Sequence, residues 1–203
     1  MLTKKKLAQG VAELASRDAD LAAVIDKHGQ PPLWSRKPGF PTLVQIILEQ
    51  QVSLASAKAA FEKLKSFLEE VTPEGLLALD DGELKTIGFS RQKARYCRGL
   101  SQAIVDGEFD VEGLSRLSDA EAKKALTSLV GIGRWTADIY LLMALRRPDI
   151  WPKGDLALAK AAQQVKGLEA LPDQDQLEEL AESWQPWRAV AARVLWLHYL
   201  SRD

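Results

Sequence analysis

The chain has 203 residues, 46% hydrophobic and 27% charged, an ordinary globular balance with room for one large domain or two small lobes. Its 27 basic and 28 acidic residues leave a net charge of -1, so the bulk charge neither advertises nor excludes a nucleic-acid partner. The single cysteine, Cys97, excludes internal disulfides, a Cys-rich zinc site and a four-Cys iron–sulfur cluster. No apolar run has signal-peptide or membrane-span character, so a soluble, cytoplasmic protein is expected.

Helical periodicity dominates. Leu7, Val11, Leu14 and Ala15 make one apolar stripe; Leu21, Val24 and Ile25 make the next, closed by Gly29 in a C-terminal cap position. HGQPPLWSRKPGFP, dense in Pro and Gly, is expected to be a linker. TLVQIILEQQ reads as a strongly apolar helix, and SLASAKAAFEKLKSFLEEV as another with Ser53 as its N-cap. Thr72 and Pro73 start a helix. Ser118 and Glu121 form a capping box opening SDAEAKKALTSLV. Asp173 and Asp175 cap a helix through Leu177 and Leu180, the Trp184–Trp187 segment breaks it, and a final helix runs through Val190, Val194, Leu195 and Leu197. Strand patterns are almost absent, and WPKG could hold a turn or a short extended piece. The expected class is all-α, with about ten helices. We expect a single domain over 1–203, with N-terminal helices and linker at 1–37, a middle helical lobe at 38–117, and 118–203 carrying the remaining helices.

Acids gather at 80–83 and 173–182; bases gather at Arg91, Lys93, Arg95 and Arg98, then at Arg134, Arg146, Arg147, Lys153 and Lys160. This distribution fits one basic and one acidic face, or charge scattered over solvated helix surfaces. IGFSRQKA at 87–94 echoes VGIGRWTA at 130–137, with Ser90 in place of the second Gly. The echo is a structural repeat or a coincidence over eight residues.

In LVGIGRWTADIY, Gly131 and Gly133 flank Ile132 between two helical patterns. A Gly pair in a short turn permits positive φ and lets two helices approach closely. It also leaves backbone N–H groups uncovered at the start of the second helix, where the donors and the helix dipole suit a DNA phosphate. On that reading Gly131, Gly133 and Arg134, with Thr136 in the same turn, hold backbone without reading sequence. The alternative is a helix–helix turn with no ligand.

SLVGIGRWTADIYLLMAL, with WPKGDLALAKAA downstream, resembles the helix-hairpin-helix DNA glycosylases, and GFPTLVQIILEQQVSLASA resembles the segment such enzymes carry upstream. Within that superfamily the chain is most similar to the alkylated-base, 3-methyladenine DNA glycosylase II type, over residues 38–200. The resemblance implies two lobes with DNA in the cleft between them and a flipped-out base. It implies double-stranded DNA containing alkylated bases as the partner; nothing in the sequence demands more than a monomer. No cofactor is implied beyond a monovalent cation, held by the backbone carbonyls of Thr127, Leu129 and Ile132.

Asp155 matches the family's catalytic carboxylate. Read from its own neighbours, Gly154 and LALAKAA, it is a helix N-cap worth ~1 kcal/mol. A helix N-terminus also keeps a carboxylate ionised, able to stabilise an oxocarbenium-like sugar and to orient water. No general acid stands out; His28 and His198 look like surface or packing residues. An N3- or N7-methylated purine already carries positive charge and leaves without being protonated. Strand-cutting relatives place a Lys where Trp135 stands, so the resemblance implies a monofunctional enzyme. Trp135 and Trp196 match aromatic base-pocket positions, Trp34 could reach the pocket from the linker, and core packing is the alternative for each. Gln51, with Gln50 beside it, falls at the wedge position that fills the gap left by the base; both could instead cap the break between two helices. Gln is a departure there, since some relatives carry a larger apolar residue. A further departure is length: larger relatives carry a mixed α/β domain ahead of this core, where residues 1–37 here read as helices and a linker. Ile139 stands one helical turn beyond Trp135, where a polar or aromatic residue could have shaped the pocket.

The leading expectation is a monofunctional glycosylase for alkylated purines. The alternatives are a glycosylase for oxidised or deaminated bases, and a non-catalytic helix-hairpin-helix DNA-binding module.

Overall fold

The computed structural model describes residues 1–201. Among them no strand forms, and twelve α-helices are present. The chain opens with α1 (Lys4–Arg17) and α2 (Ala19–His28), then α3 (Phe40–Glu49) and α4 (Leu54–Phe67). Next come α5 (Pro73–Ala78), α6 (Asp81–Ile87), α7 (Arg91–Val105), α8 (Asp119–Thr127) and α9 (Arg134–Ile139). The last are α10 (Leu156–Val165), α11 (Gln174–Glu182) and α12 (Arg188–Leu200). The count slightly exceeds the expectation; α5 is the helix expected from Thr72 and Pro73, whereas α6 is too short to show periodicity in a helix-sized window.

Start signals read from sequence are present as geometry. Ser53 Oγ accepts the Ser56 amide, Thr72 Oγ1 accepts the Gly75 amide, Ser118 with Glu121 closes the capping box, and Asp173 caps α11, where it also closes a box with Gln176, whereas Asp175 lies inside the first turn rather than at the cap. None of the described helices is long and apolar enough to cross a membrane.

The chain divides into two compact units, Arg36–Tyr140 and Met1–Ser35 with the chain from Leu141 onward. The division at 117/118 is therefore displaced to 140/141, and the hairpin belongs with the middle helices. The reason is packing: α9 lies against both α8 and α3.

In the unit Arg36–Tyr140, α3 packs on α4, α7 and α9, and α5 packs on α7. Its core includes Leu43, Ile46, Ile47, Leu64, Leu76, Leu100 and Leu126. In the other unit, α12 packs against α1, α2, α10 and α11. The α12 residues from Ala189 to Trp196 are all buried, as befits a helix that is apolar nearly all round. Asp18 ties this unit together. It N-caps α2 while accepting from Lys166 Nζ at 2.6 Å and Trp184 Nε1 at 2.7 Å. Burial alone would raise its carboxyl; the Lys166 and Trp184 bonds outweigh burial and hold it below the usual value.

Candidate functional site

The unit Arg36–Tyr140 carries the hairpin. After α8 the chain passes through Gly131 at φ +90, buries Ile132, and starts α9 from Gly133. The two glycines do different things. A Cβ on Gly131 would fall 2.1 Å from Tyr96 Cγ, so this position needs both positive φ and the close approach of an aromatic ring. Gly133 is extended, at φ -82 and ψ 177, with nothing within 4 Å of a Cβ and no side-chain cap on the helix it opens. What glycine leaves at Gly133 is open space over the first amides of α9. Arg134 beside it is exposed.

Thr136 is a correction. Expected to bind phosphate, it is 2% exposed, and its hydroxyl accepts a hydrogen bond from Gln50 Nε2 at 2.9 Å. The same Gln50 amide donates to the Gly131 carbonyl at 2.9 Å. Gln50 is thus a brace between the α3–α4 turn and the hairpin, not a side chain available to wedge a duplex. Gln51 is exposed at φ +56 on the tip of that turn. The residues on either side of that turn are braced. Arg36 and Glu49 form a two-bonded ion pair at 2.8 and 3.0 Å, and Lys93 Nζ donates to the Leu48 carbonyl at 2.7 Å. Burial holds the Lys93 amine below its ordinary value. Trp135 is half-buried in the first turn of α9. The Leu129 carbonyl, one of the three expected around a cation, accepts the Ile132 amide at 3.1 Å and keeps a second lone pair.

The echo at 87–94 is a structural repeat. Gly88 and Gly131 both have positive φ, and Ser90 and Gly133 both stand at helix N-caps. The repeats differ at that cap, since Ser90 Oγ accepts the Lys93 amide while Gly133 offers no side chain.

The other unit carries Asp155. It is the N-cap of α10, as its neighbours in sequence imply, and its Oδ1 accepts the Leu158 amide at 2.9 Å. Trp196 Nε1 donates to the same oxygen at 3.4 Å. Trp196 is 8% exposed, so within its own unit it is chiefly a buried donor aimed at the carboxylate rather than an open aromatic face. The loop before Asp155 is pinned by Lys153, which reaches Glu178 at 2.7 Å, and by Trp151, whose ring lies 5.5 Å from that of Trp184. A carboxylate held this firmly at a helix start can stabilise positive charge on a sugar without reorganising. Trp34 sits in the linker at φ +43. Just before it, buried Arg193 donates to the Leu33 carbonyl at 2.9 Å, and to those of Ala189 and Leu142. Burial, with no carboxylate partner among the described residues, pulls Arg193 down to about 10. His198 bonds Gln164 and stacks edge-on against His28, so both histidines are packing residues.

Sequence reasoning missed the braces Arg36–Glu49, Lys93–Leu48 and Tyr96 against Gly131. It also missed exposed apolar side chains at the two turns, Val130 at 71% and Val52 and Leu54 beside Gln51. Apolar residues at turn positions were the available signal.

The family described as HhH-GPD superfamily base excision DNA repair protein matches residues 44–186. The chain is similar to DNA-3-methyladenine glycosylase 1 of Schizosaccharomyces pombe, 29% identical over 165 residues, 79% of this chain and 72% of that one. It is 28% identical to the Bacillus subtilis protein YfjP over 184 residues, 87% of this chain but 64% of the relative, and so spans less than two thirds of that protein. Among solved structures, S. pombe 3-methyladenine DNA glycosylase (Mag1) in complex with abasic DNA matches with a TM-score of 0.83 and 26% identity, over 93% of this chain and 95% of that one.

Proposed function

The chain belongs to the HhH-GPD superfamily of base excision DNA repair proteins, and from that premise we propose that it is a monofunctional DNA glycosylase. It hydrolyses the N-glycosidic bond of alkylated purines, 3-methyladenine and 7-methylguanine, in double-stranded DNA and leaves an abasic site. The observation that carries this reading is Asp155, a helix-capping carboxylate whose Oδ1 is oriented by the Leu158 amide and the Trp196 indole.

The methylated base, already cationic, departs as a neutral purine with the electron pair of the C1′–N bond. Asp155 stabilises the oxocarbenium-like sugar, orients the water that adds at C1′, and passes its proton toward solvent. No general acid is required. Trp135 offers an aromatic face to the cationic base, worth ~0.5–2 kcal/mol. With Trp in place of a Lys, no Schiff base with the sugar forms and the strand stays intact. Gly131, Gly133 and Arg134 hold phosphate, and Gln51 fills the gap left by the base. The carbonyls of Thr127, Leu129 and Ile132 are the candidates for a monovalent cation, which would supply positive charge next to a phosphate.

The test is base release from methylated duplex DNA by wild type and Asp155→Asn, with abasic sites scored before and after alkali. We expect wild-type release of 3-methyladenine or 7-methylguanine, loss in the variant, and strand breaks only after alkali. Equal release by the variant removes Asp155 from the mechanism. Binding without release by either protein points to another lesion or to a non-catalytic module.

A further inference from the structure

Helix α7 carries four bases, Arg91, Lys93, Arg95 and Arg98, and no acid. Two of them have intramolecular partners. Lys93 donates to the Leu48 carbonyl, and Arg98 donates to the Leu79 carbonyl and to Asp81. Arg91 and Arg95 are exposed, and neither pairs with a carboxylate among the described residues. They stand four residues apart, a like-charge helix pair that costs stability and that an anion would relieve.

Their setting is not an open helix surface. The Arg95 guanidinium lies 5.4 Å from the centroid of the Tyr96 ring, and that ring is the one pressed against Gly131. Gln92, between the two arginines, donates to the Tyr96 hydroxyl. Lys93, in the same turn, is tied to the end of α3, and Gln50 ties the α3–α4 turn to the hairpin. The first turns of α7, the Gln51 turn and the Gly131 hairpin are therefore one braced corner of the unit Arg36–Tyr140. Ser90 takes up one of the first amides of α7, that of Lys93, whose counterpart the Gly133 cap leaves open in the hairpin. What the repeat at 87–94 presents instead is guanidinium, whose planar fork matches phosphate oxygens.

We propose that Arg91 and Arg95 form a second backbone-binding element, which takes phosphates of the same DNA duplex beside those held by the hairpin. The proposal rests on the glycosylase reading and adds a binding surface to it. Each phosphate contact releases counterions, so each should appear in the salt dependence of affinity.

The experiment is fluorescence anisotropy with an undamaged DNA duplex over a NaCl series. It compares wild type, Arg91→Gln/Arg95→Gln, Arg91→Lys/Arg95→Lys and, as a control for charge removal elsewhere, Lys4→Gln/Lys5→Gln. The glutamine variant should bind more weakly and lose about 2 from the steepness of log K against log[salt]. The lysine variant and the control should keep the wild-type steepness. The melting temperature of the glutamine variant should equal or exceed the wild-type value, since a like-charge pair is removed, which separates lost binding from unfolding. A wild-type slope in the glutamine variant, or an equal loss in the control, overturns the proposal while leaving the glycosylase reading intact. A wild-type protein that binds no duplex at any salt overturns both.

Discussion

Alanine at Gly131 and alanine at Gly133 should have very different consequences, although the two glycines stand two apart in one turn. At Gly131 the new Cβ falls 2.1 Å from Tyr96 Cγ on a backbone at φ +90. The left-handed conformation costs ~1–2 kcal/mol for a residue with a Cβ, and displacing a packed ring adds ~1–3 kcal/mol. The sum, roughly 2–5 kcal/mol, lowers the melting temperature of a chain this size by about 5–15 °C. At Gly133 the backbone is already extended and a Cβ meets nothing within 4 Å. Alanine there should stay within about 0.5 kcal/mol of wild type, or stabilise slightly by restricting the unfolded chain. Thermal melts followed by far-UV circular dichroism read both variants. A double-mutant cycle with Tyr96→Ala isolates the clash: without the ring, Gly131→Ala should lose the overpacking part of its cost, a coupling of ~1–3 kcal/mol. Equal destabilisation at the two glycines, or a cost at Gly131 that Tyr96→Ala leaves unchanged, would refute the close-approach argument.

Trp196→Phe keeps the ring but removes the Nε1 donor on Asp155; at 3.4 Å the bond is long, so single-turnover base release should slow only about two- to fivefold, ~0.5–1 kcal/mol, and an unchanged rate would deny the indole a positioning role. Lys123→Met removes the cation that lies 2.6 Å from the Asp138 carboxylate, whose side chain is 1% exposed. Since Lys123 is itself partly exposed, the loss should be roughly 1–3 kcal/mol, the scale of one hydrogen bond to a charged group, which urea unfolding would measure. Asp18 has a depressed carboxyl value in the folded state, so its contribution is present above the unfolded value of about 3.9 and is lost as pH falls through the folded one. Asp18→Asn should therefore melt well below wild type near pH 6, with the gap closing as pH falls toward about 3; a gap constant across that range would contradict the assignment.

Much of the local structure was legible because its cause is local. The Ser118 capping box, the Ser53, Thr72 and Asp173 caps and the capping position of Asp155 depend on donors and acceptors two or three residues apart, and the structure forms each of them. The all-α class followed from apolar residues recurring at helical spacing. The hairpin turn was legible for the same reason, since Gly and Pro punctuate a chain wherever they fall. The roles within that turn were not. Gln50 and Gln51 are neighbours with the same side chain, yet one braces Gly131 and Thr136, more than eighty residues away, while the other stands exposed. Thr136 and Arg134 share one helical turn, but only the threonine is buried. The bond from Trp196 to Asp155 spans 41 residues, and the ring that Gly131 must admit comes from α7.

Periodicity and caps state which face of a helix is apolar and where it begins, and so the sequence by itself determined most of the elements, many of their ends and the capping position of Asp155. Which side chain meets which is decided by how those faces pack, because one sequence carries no record of its long-range neighbours. For that reason the division of labour between the two glycines, the two glutamines and the two tryptophans belongs to the tertiary structure alone.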